Sequence, residues 1–435
     1  MNPIVSYQSR RQQFASLMHK GVAVIPTAPE QLRNRDAHYP YRFDSYFYYL
    51  TGFREPEAVL VIVADQDQTK NKYILFCRDK DEKREIWDGF RYGPEAAKEA
   101  FGFDEAYSIN QLDEMLPNLL ADQSKVYFAL GQDASFDARV TSWIHKVKEK
   151  ARSGITAPTE FHDSRLILDE MRLIKDAEEL QIMRDAAAIS DKAHRRAMQF
   201  ARPGMMEYEV EAEFLHIFRQ HGAQSPAYTS IVAGGANACV LHYVENDAEL
   251  KSGDMLLIDA GCELNGYASD ITRTFPVNGK FTDAQKDIYQ LVLAAQEAAI
   301  ITVKPGNSWN DPHQAALQVL VQGFIDFGLC QGSIDAVIES EDYKRFYMHR
   351  TGHWLGLDVH DAGEYKQNGE WRDLQKGMVL TVEPGCYIRP ADKVPKHFWN
   401  IGIRIEDDVL VTQAGHEILT IATPKSVDDI EELMR

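Results

Sequence analysis

Cysteine is scarce in this 435-residue chain. The five that occur (Cys77, Cys239, Cys262, Cys330 and Cys386) are odd in number, scattered, and never spaced Cys-x-x-Cys. That pattern excludes a disulfide framework and a thiolate zinc site, and leaves buried apolar thiols as the expectation. Long apolar runs are also missing. No stretch approaches the roughly 18 residues of a membrane helix, and the amino terminus MNPIVSYQSRRQQFASLMHKG has no apolar core of signal-peptide length. Residence in the cytoplasm, with no membrane partner, is expected. Positive charge is in deficit: 47 Lys and Arg against 66 Asp and Glu give a net charge of −19. This excludes the basic surface with which a protein neutralises nucleic-acid phosphates. What is present, 44% apolar and 10% aromatic residues, is enough to bury the cores of two domains.

The first 170 or so residues mix short apolar strands, AVLVIVA (58 to 64) and KYILFCR (72 to 78), with helix-like stretches, as in an α/β domain. The aromatic run YPYRFDSYFYYLTGF within it reads as core and subunit interface. A charged segment, LDEMRLIKDAEELQIMRDAAAISDKAHRRAM, then begins a long amphipathic helix with Ile182, Ala186, Ile189 and Ala193 at helical spacing. The boundary is placed near residue 173, giving domains 1–173 and 174–435.

The second domain repeats itself weakly. Arg202-Pro203-Gly204 and Lys304-Pro305-Gly306 each open a helix-like segment, and each of these follows another helix, one starting near Asp176 and one capped by Thr282 with Gln285 at capping-box spacing. The strands GDMLLIDAG (253 to 261) and GMVLTVEPG (377 to 385) share Gly, Leu, an acid and Gly at matching places. GYASD (266 to 270) and GIRIE (402 to 406) each set an acid four residues after a glycine. Two similar halves, each a helix pair followed by strands carrying two carboxylates, predict an α+β domain with pseudo-twofold symmetry and helices over one sheet face. A tight turn at Leu264-Asn265 or Asn265-Gly266 puts Asp259 and Asp270 on one face, directly or diagonally opposed. In NIGIRIEDDVLV, Arg404 and Glu406 share the face that the isoleucines do not occupy.

Four carboxylates gathered in one buried site repel one another by about 4 kcal/mol per pair at 4 Å and an effective dielectric of 20. Two divalent cations balance them, and carboxylates can bridge metals roughly 3.5 to 4 Å apart. Oxygen-rich ligation favours manganese first, with zinc, cobalt or iron as alternatives. An imidazole is available in YMHRTGHWLGLDVHDAG, which carries His349, His353 and His360, and spacing alone does not choose among them.

The segments IDAGCELNGYASDITRTFPVNGKFT, GHWLGLDVHDAG, GMVLTVEPGCYI and NIGIRIEDD resemble, in order and spacing, the ligand-bearing blocks of the creatinase, prolidase and methionine aminopeptidase family, whose catalytic domain is the pita-bread fold. YPYRFDSYFYYLTGFREPEAVLVIV and EIWDGFRYGPEAA extend the likeness into the first domain and towards the bacterial aminopeptidase P branch. The resemblance implies that Asp259 binds one metal, that Asp270 and Glu406 bridge both, and that His353 and Glu383 bind the other. It implies that His242 and His360 hydrogen-bond substrate and intermediate, that His349 lines the pocket, and that Tyr387 and Arg404 support the site. Asp36, Trp87 and Arg152 carry over less directly, as residues of the first domain at the pocket mouth or, for Trp87, reaching a neighbouring subunit's site. The likeness departs at the small residues within HRTGH, which alters the pocket rim and leaves the ligand position His353 matched.

The implied function is a two-metal aminopeptidase acting on peptides with proline in second place. A metal-bridging water, its pKa lowered towards about 7, attacks the Xaa-Pro carbonyl while Glu383 shuttles the proton. The alternatives are prolidase, separated by its restriction to dipeptides; methionine aminopeptidase, disfavoured by the length of the chain; and a non-catalytic scaffold, disfavoured because no ligand is missing. The bacterial members imply a homo-oligomer, tetramer or dimer.

Overall fold

The computed structural model describes residues 3–435. The chain divides into two compact units between residues 171 and 172. In the first, a six-stranded sheet runs from edge to edge as Glu105–Ser108, Lys72–Cys77, Val59–Ala64, Gly21–Pro26, Lys125–Tyr127 and Glu160–His162. The pairs among Gly21–Pro26, Val59–Ala64 and Lys72–Cys77 are antiparallel, and the outer strands join in parallel. The central strands read as unbroken apolar runs because both faces are covered. Val22, Val24, Val61, Ile74 and Phe76 pack against Leu112, Leu116 and Leu120 of one helix and Trp143, Ile144 and Val147 of another. Most of the aromatic run is core: Phe47, Tyr48 and Tyr49 are buried on the helix Ser45–Thr51, which Asp44 caps by accepting the Phe47 amide. Asp36, Trp87 and Arg152 are exposed residues of this unit.

The charged segment that follows is not one helix. Arg165–Leu173 stops, and Asp176 then caps a new helix, Ala177–Phe200, in a reciprocal capping box with Glu179. Ala177–Phe200 packs on Glu207–Gln220, and Asp283–Ile301 packs on Asp311–Asp326. Both pairs bury their apolar stripes against strand residues Leu256, Ile258, Phe275, Val382 and Ile403, and against Ile405 just beyond, in one continuous core. The helices thus cover one face of the strands and leave the other free to carry polar groups. Among the described residues every ladder in this unit is antiparallel. This is the α+β, pseudo-twofold arrangement that the repeat predicts, and the first unit supplies the α/β domain.

Register places the acids. The turn is Asn265-Gly266, with φ of 52° and 86°, joining Leu264 to Tyr267. Asp259 pairs with Thr272, so Asp270 lies one pleat away, diagonal to Asp259. In the second half Val382 pairs with Asp407 and Gly385 with Arg404, a single register that sets Glu383 opposite Glu406 across the break at Pro384.

Candidate metal centre

Asp259, Asp270, His353, Glu383 and Glu406 line one cavity of about 410 Å³ in the second unit, together with His242, His349, His360, Arg404 and Tyr228. Potential ligand atoms of Asp270, His353 and Glu406 lie within 4.8 Å of one another. Glu383 adjoins this group, with Oε1 at 3.7 Å from His353 Nε2, which itself is 3.3 Å from Asp270 Oδ2. Asp259 is tied to Asp270 through Tyr228, whose hydroxyl is 2.6 Å from Asp259 Oδ1 and 2.5 Å from Asp270 Oδ1. One hydroxyl proton cannot serve both, so these two carboxylates are left with a shared, incomplete donor.

His353 comes from an extended segment running beside the strand Val379–Val382: its carbonyl accepts the Thr381 amide, and the Thr351 carbonyl accepts that of Glu383. Gly352 lies so close to that strand that a Cβ would sit 2.0 Å from the Thr381 carbonyl oxygen. The glycine therefore permits the approach rather than a helix, and the spacing from His349 to His353 does not form a helical ligand pair. His353 Nδ1 donates to the Trp354 carbonyl at 2.9 Å, which turns Nε2 towards the carboxylates. His349 is held differently. Nδ1 donates to the Arg350 carbonyl at 2.7 Å and Nε2 accepts from the Tyr387 hydroxyl at 2.8 Å, which fixes a neutral ring. Burial and the Arg404 charge accordingly lower its pKa to about 3.

Arg404 is the one fixed cation facing the cluster among the described residues. Nη2 donates to Asp259 Oδ2 at 2.6 Å, Nη1 to the Tyr387 hydroxyl at 3.1 Å, and Nε to Thr272 Oγ1 at 3.1 Å; Thr272 in turn donates to Glu406 Oε2 at 2.6 Å. One guanidinium cannot balance four acids. Burial pushes the Glu383 carboxyl up to about 7 against the pull of His353 and Arg404. Glu406 is driven well above the carboxylate range by burial and then by Asp270, Glu383 and Asp259. Asp259 also rises through burial, although Arg404 opposes it. Burial opposes charge at His353 too, but the Asp270 hydrogen bond and the Glu383 and Asp270 charges lift it to about 9. Burial opposes charge at Asp270 as well, but its His353 hydrogen bond and the His353 charge outweigh it and hold that carboxyl below the usual range, so one of the four acids is compensated and the other three are not. A donor set of four carboxylates and one oriented imidazole fits divalent cations.

His242 and His360 are exposed to the cavity, and the His360 ring packs edge-on to His353 with centroids 4.3 Å apart. Tyr387 stands behind the lining, buried, and touches the site through His349 and Arg404. The sequence reading passed over Tyr228 and Thr272. Thr272 could have been found as the pairing partner of Asp259, but Tyr228 arrives through the pairing of Ser225–Pro226 with Cys262–Leu264, which no local signal announces.

Such an arrangement belongs to metal-dependent hydrolytic chemistry, and comparison with known proteins agrees. The profile of Metallopeptidase family M24 matches residues 181–413, and that of the Aminopeptidase P, N-terminal domain matches residues 7–127. Xaa-Pro aminopeptidase of Escherichia coli (strain K12) is 46% identical over 98% of this chain and 97% of its own length. The solved structure of Pseudomonas aeruginosa aminopeptidase PepP superposes with a TM-score of 0.97 at 50% identity, covering 99% of this chain and 98% of that one. Zinc-substituted E. coli aminopeptidase P in complex with product gives 0.96 at 46% identity, with coverage of 99% and 98%. The chain belongs to metallopeptidase family M24.

Proposed function

We propose that this protein is an Xaa-Pro aminopeptidase, which removes the first residue from peptides with proline in second position. The observation that carries the reading is the under-compensated carboxylate cluster opening on a cavity that also presents four histidines. Two divalent ions, manganese in the first instance, would be held by Asp259 on one side, by His353 and Glu383 on the other, and by Asp270 and Glu406 between them. When bound they supply Lewis acidity and a water whose pKa falls towards about 7.

The chain's own groups do the rest. Glu383 takes the proton of the attacking water and passes it to the leaving proline nitrogen. His242 and His360 donate to the oxyanion as it develops, a contribution of roughly 3 to 4 kcal/mol per well-placed donor. His349 holds its neutral tautomer against Tyr387 and lines the pocket, while Arg404 braces Asp259 and, through Thr272, Glu406. Ile231, Leu241 and Val359 give the cavity an apolar wall suited to a pyrrolidine ring.

The same reading makes the protein a homo-oligomer, tetramer or dimer. The scattered, buried, unpaired cysteines accord with residence in the cytoplasm. Among the described residues no helix is long and apolar enough to cross a membrane.

Incubation with manganese and an Arg-Pro-Pro peptide, with and without chelator, tests the activity. Chelator-sensitive release of arginine is the expected result. Cleavage of an Xaa-Pro dipeptide but not of the tripeptide would replace this reading with that of a prolidase.

A further inference from the structure

His242 enters the cavity from a part of the chain with little regular structure. Between the strands Ile231–Gly234 and Met255–Asp259 there is one short 3-10 turn, Gly235–Cys239, followed by loop. The His242 imidazole is exposed, and among the described residues no hydrogen bond of its own fixes it. Something else must order the backbone that carries it.

That role falls to Glu207, the first residue of the helix Glu207–Gln220, whose side chain is completely buried. Oε1 accepts the Gly234 amide at 2.7 Å and Asn237 Nδ2 at 3.1 Å. Oε2 accepts the Tyr243 hydroxyl at 2.7 Å and the Ala248 amide at 2.9 Å. No cation pairs with it among the described residues, so these four donors are what a buried carboxylate requires to remain in place. They span residues 234 to 248 and bracket His242. Burial alternates along this stretch, with His242 exposed, Tyr243 buried and Val244 exposed. Anchoring the Tyr243 hydroxyl inward therefore turns its neighbour outward to the cavity. Asn246, at φ 49°, fastens the far end by accepting the Val232 amide and donating to the Ser230 carbonyl, both at 2.9 Å.

We propose that Glu207 is a positioning residue for the peptidase reaction: its carboxylate, by gathering Gly234, Asn237, Tyr243 and Ala248, sets His242 at the oxyanion. The proposal rests on the reading of His242 as an oxyanion donor. It differs from a general structural role in acting through a single side chain.

The test is a double-mutant cycle on the metal-loaded full-length enzyme with Arg-Pro-Pro, using Glu207→Gln, His242→Ala and the double variant. Glutamine keeps the size of the side chain but turns an NH2 towards an N–H donor whichever way it sits. For Glu207→Gln, kcat falls roughly ten- to a hundredfold, as for a misplaced catalytic group, with metal content unchanged and KM within about threefold. In the His242→Ala background the same substitution removes no more than about twofold. Losses that multiply in the double variant, or an undiminished kcat in Glu207→Gln, overturn the proposal. If Glu207→Gln does not fold, Tyr243→Phe removes one donor of the four, and a loss of roughly three- to tenfold that vanishes in the His242→Ala background is expected. A wild-type enzyme inactive on the peptide would remove the functional reading instead. Amide exchange then decides the placement: faster exchange across 234–248 in Glu207→Gln, with the rest of the unit unchanged, supports it, and identical exchange contradicts it.

Discussion

Glu406 and Asp407 are adjacent, carry the same functional group and are both buried, yet their surroundings are opposite. Asp407 turns towards the helices. Its Oδ1 accepts Arg273 Nη2 at 2.6 Å and Thr420 Oγ1 at 2.8 Å, and its Oδ2 accepts Lys425 Nζ at 2.7 Å and Gln296 Nε2 at 3.0 Å. Burial works against its charge, but Arg273 and Lys425 prevail and hold the carboxyl below the usual range. Glu406 turns the other way, has Thr272 as its neutral donor, and faces Asp270, Glu383 and Asp259. Asp361 repeats the pattern of Asp407, held between Arg172 Nη2 at 2.6 Å and Lys175 Nζ at 2.8 Å. Burial alone therefore does not separate Asp407 and Asp361 from the carboxylates of the cluster. What separates them is how the charge is met, by cations at Asp407 and Asp361 and by other acids at Glu406.

The comparison breaks most forcefully at Arg273. Arg273→Leu takes one of two cations from Asp407 and leaves a buried acid short of charge, so the free energy of unfolding falls by about 3 to 5 kcal/mol, as read from urea denaturation. A change within 1 kcal/mol would mean that Lys425 alone suffices. Glu406→Gln is the counterpart on the other face. Peptide cleavage drops by about a thousandfold or more, equivalent to about 4 kcal/mol, while the metal-free protein unfolds within about 1 kcal/mol of wild type because one member of a repelling set has gone. Strong destabilisation of the metal-free form would show Glu406 to be structural, like its neighbour.

Metal sharpens the contrast further. Manganese at a hundredfold excess over its Kd stabilises wild type by about 2.7 kcal/mol, seen as a rise in Tm that Glu406→Gln greatly diminishes and a surface carboxylate variant retains. His194 offers a third environment, burial with neither counter-charge nor metal. Its Nε2 donates to the Ala260 carbonyl at 2.9 Å, and burial lowers its pKa to about 3. Because the folded pKa lies below that of the unfolded chain, the unfolded state binds the proton first as the pH falls below about 6.5. Stability is then lost at about 1.4 kcal/mol per pH unit, or about 2 kcal/mol by pH 5. The difference in unfolding free energy between pH 7.5 and pH 5 should shrink by that amount in His194→Gln; an unchanged difference would place the acid sensitivity elsewhere.

The features legible in the sequence were those written in local spacing. The paired Gly-to-acid segments and the capping box at Thr282 announced two similar halves, and the helix pairs and antiparallel strands follow them. The Asn265-Gly266 turn was readable as one of two alternatives. The capping box at Asp176 was equally local, but apolar spacing running through it disguised the break between Leu173 and Ala177. The choice among His349, His353 and His360 was not readable from spacing: backbone carbonyls claim Nδ1 of both His349 and His353, and what differs is what Nε2 then faces, the Tyr387 hydroxyl in one and the Asp270 carboxylate in the other. Tyr228 and Glu207 were invisible for a related reason: their partners lie 31 and 42 residues and 27 to 41 residues away along the chain, respectively.

The measurement closest to the central claim is the metal content of the wild-type protein, stripped with chelator, reloaded with manganese and read by plasma mass spectrometry alongside arginine release from Arg-Pro-Pro. Four carboxylates with one arginine between them call for about two ions per chain, with cleavage returning as they bind. Full cleavage by protein that holds no divalent ion would contradict it.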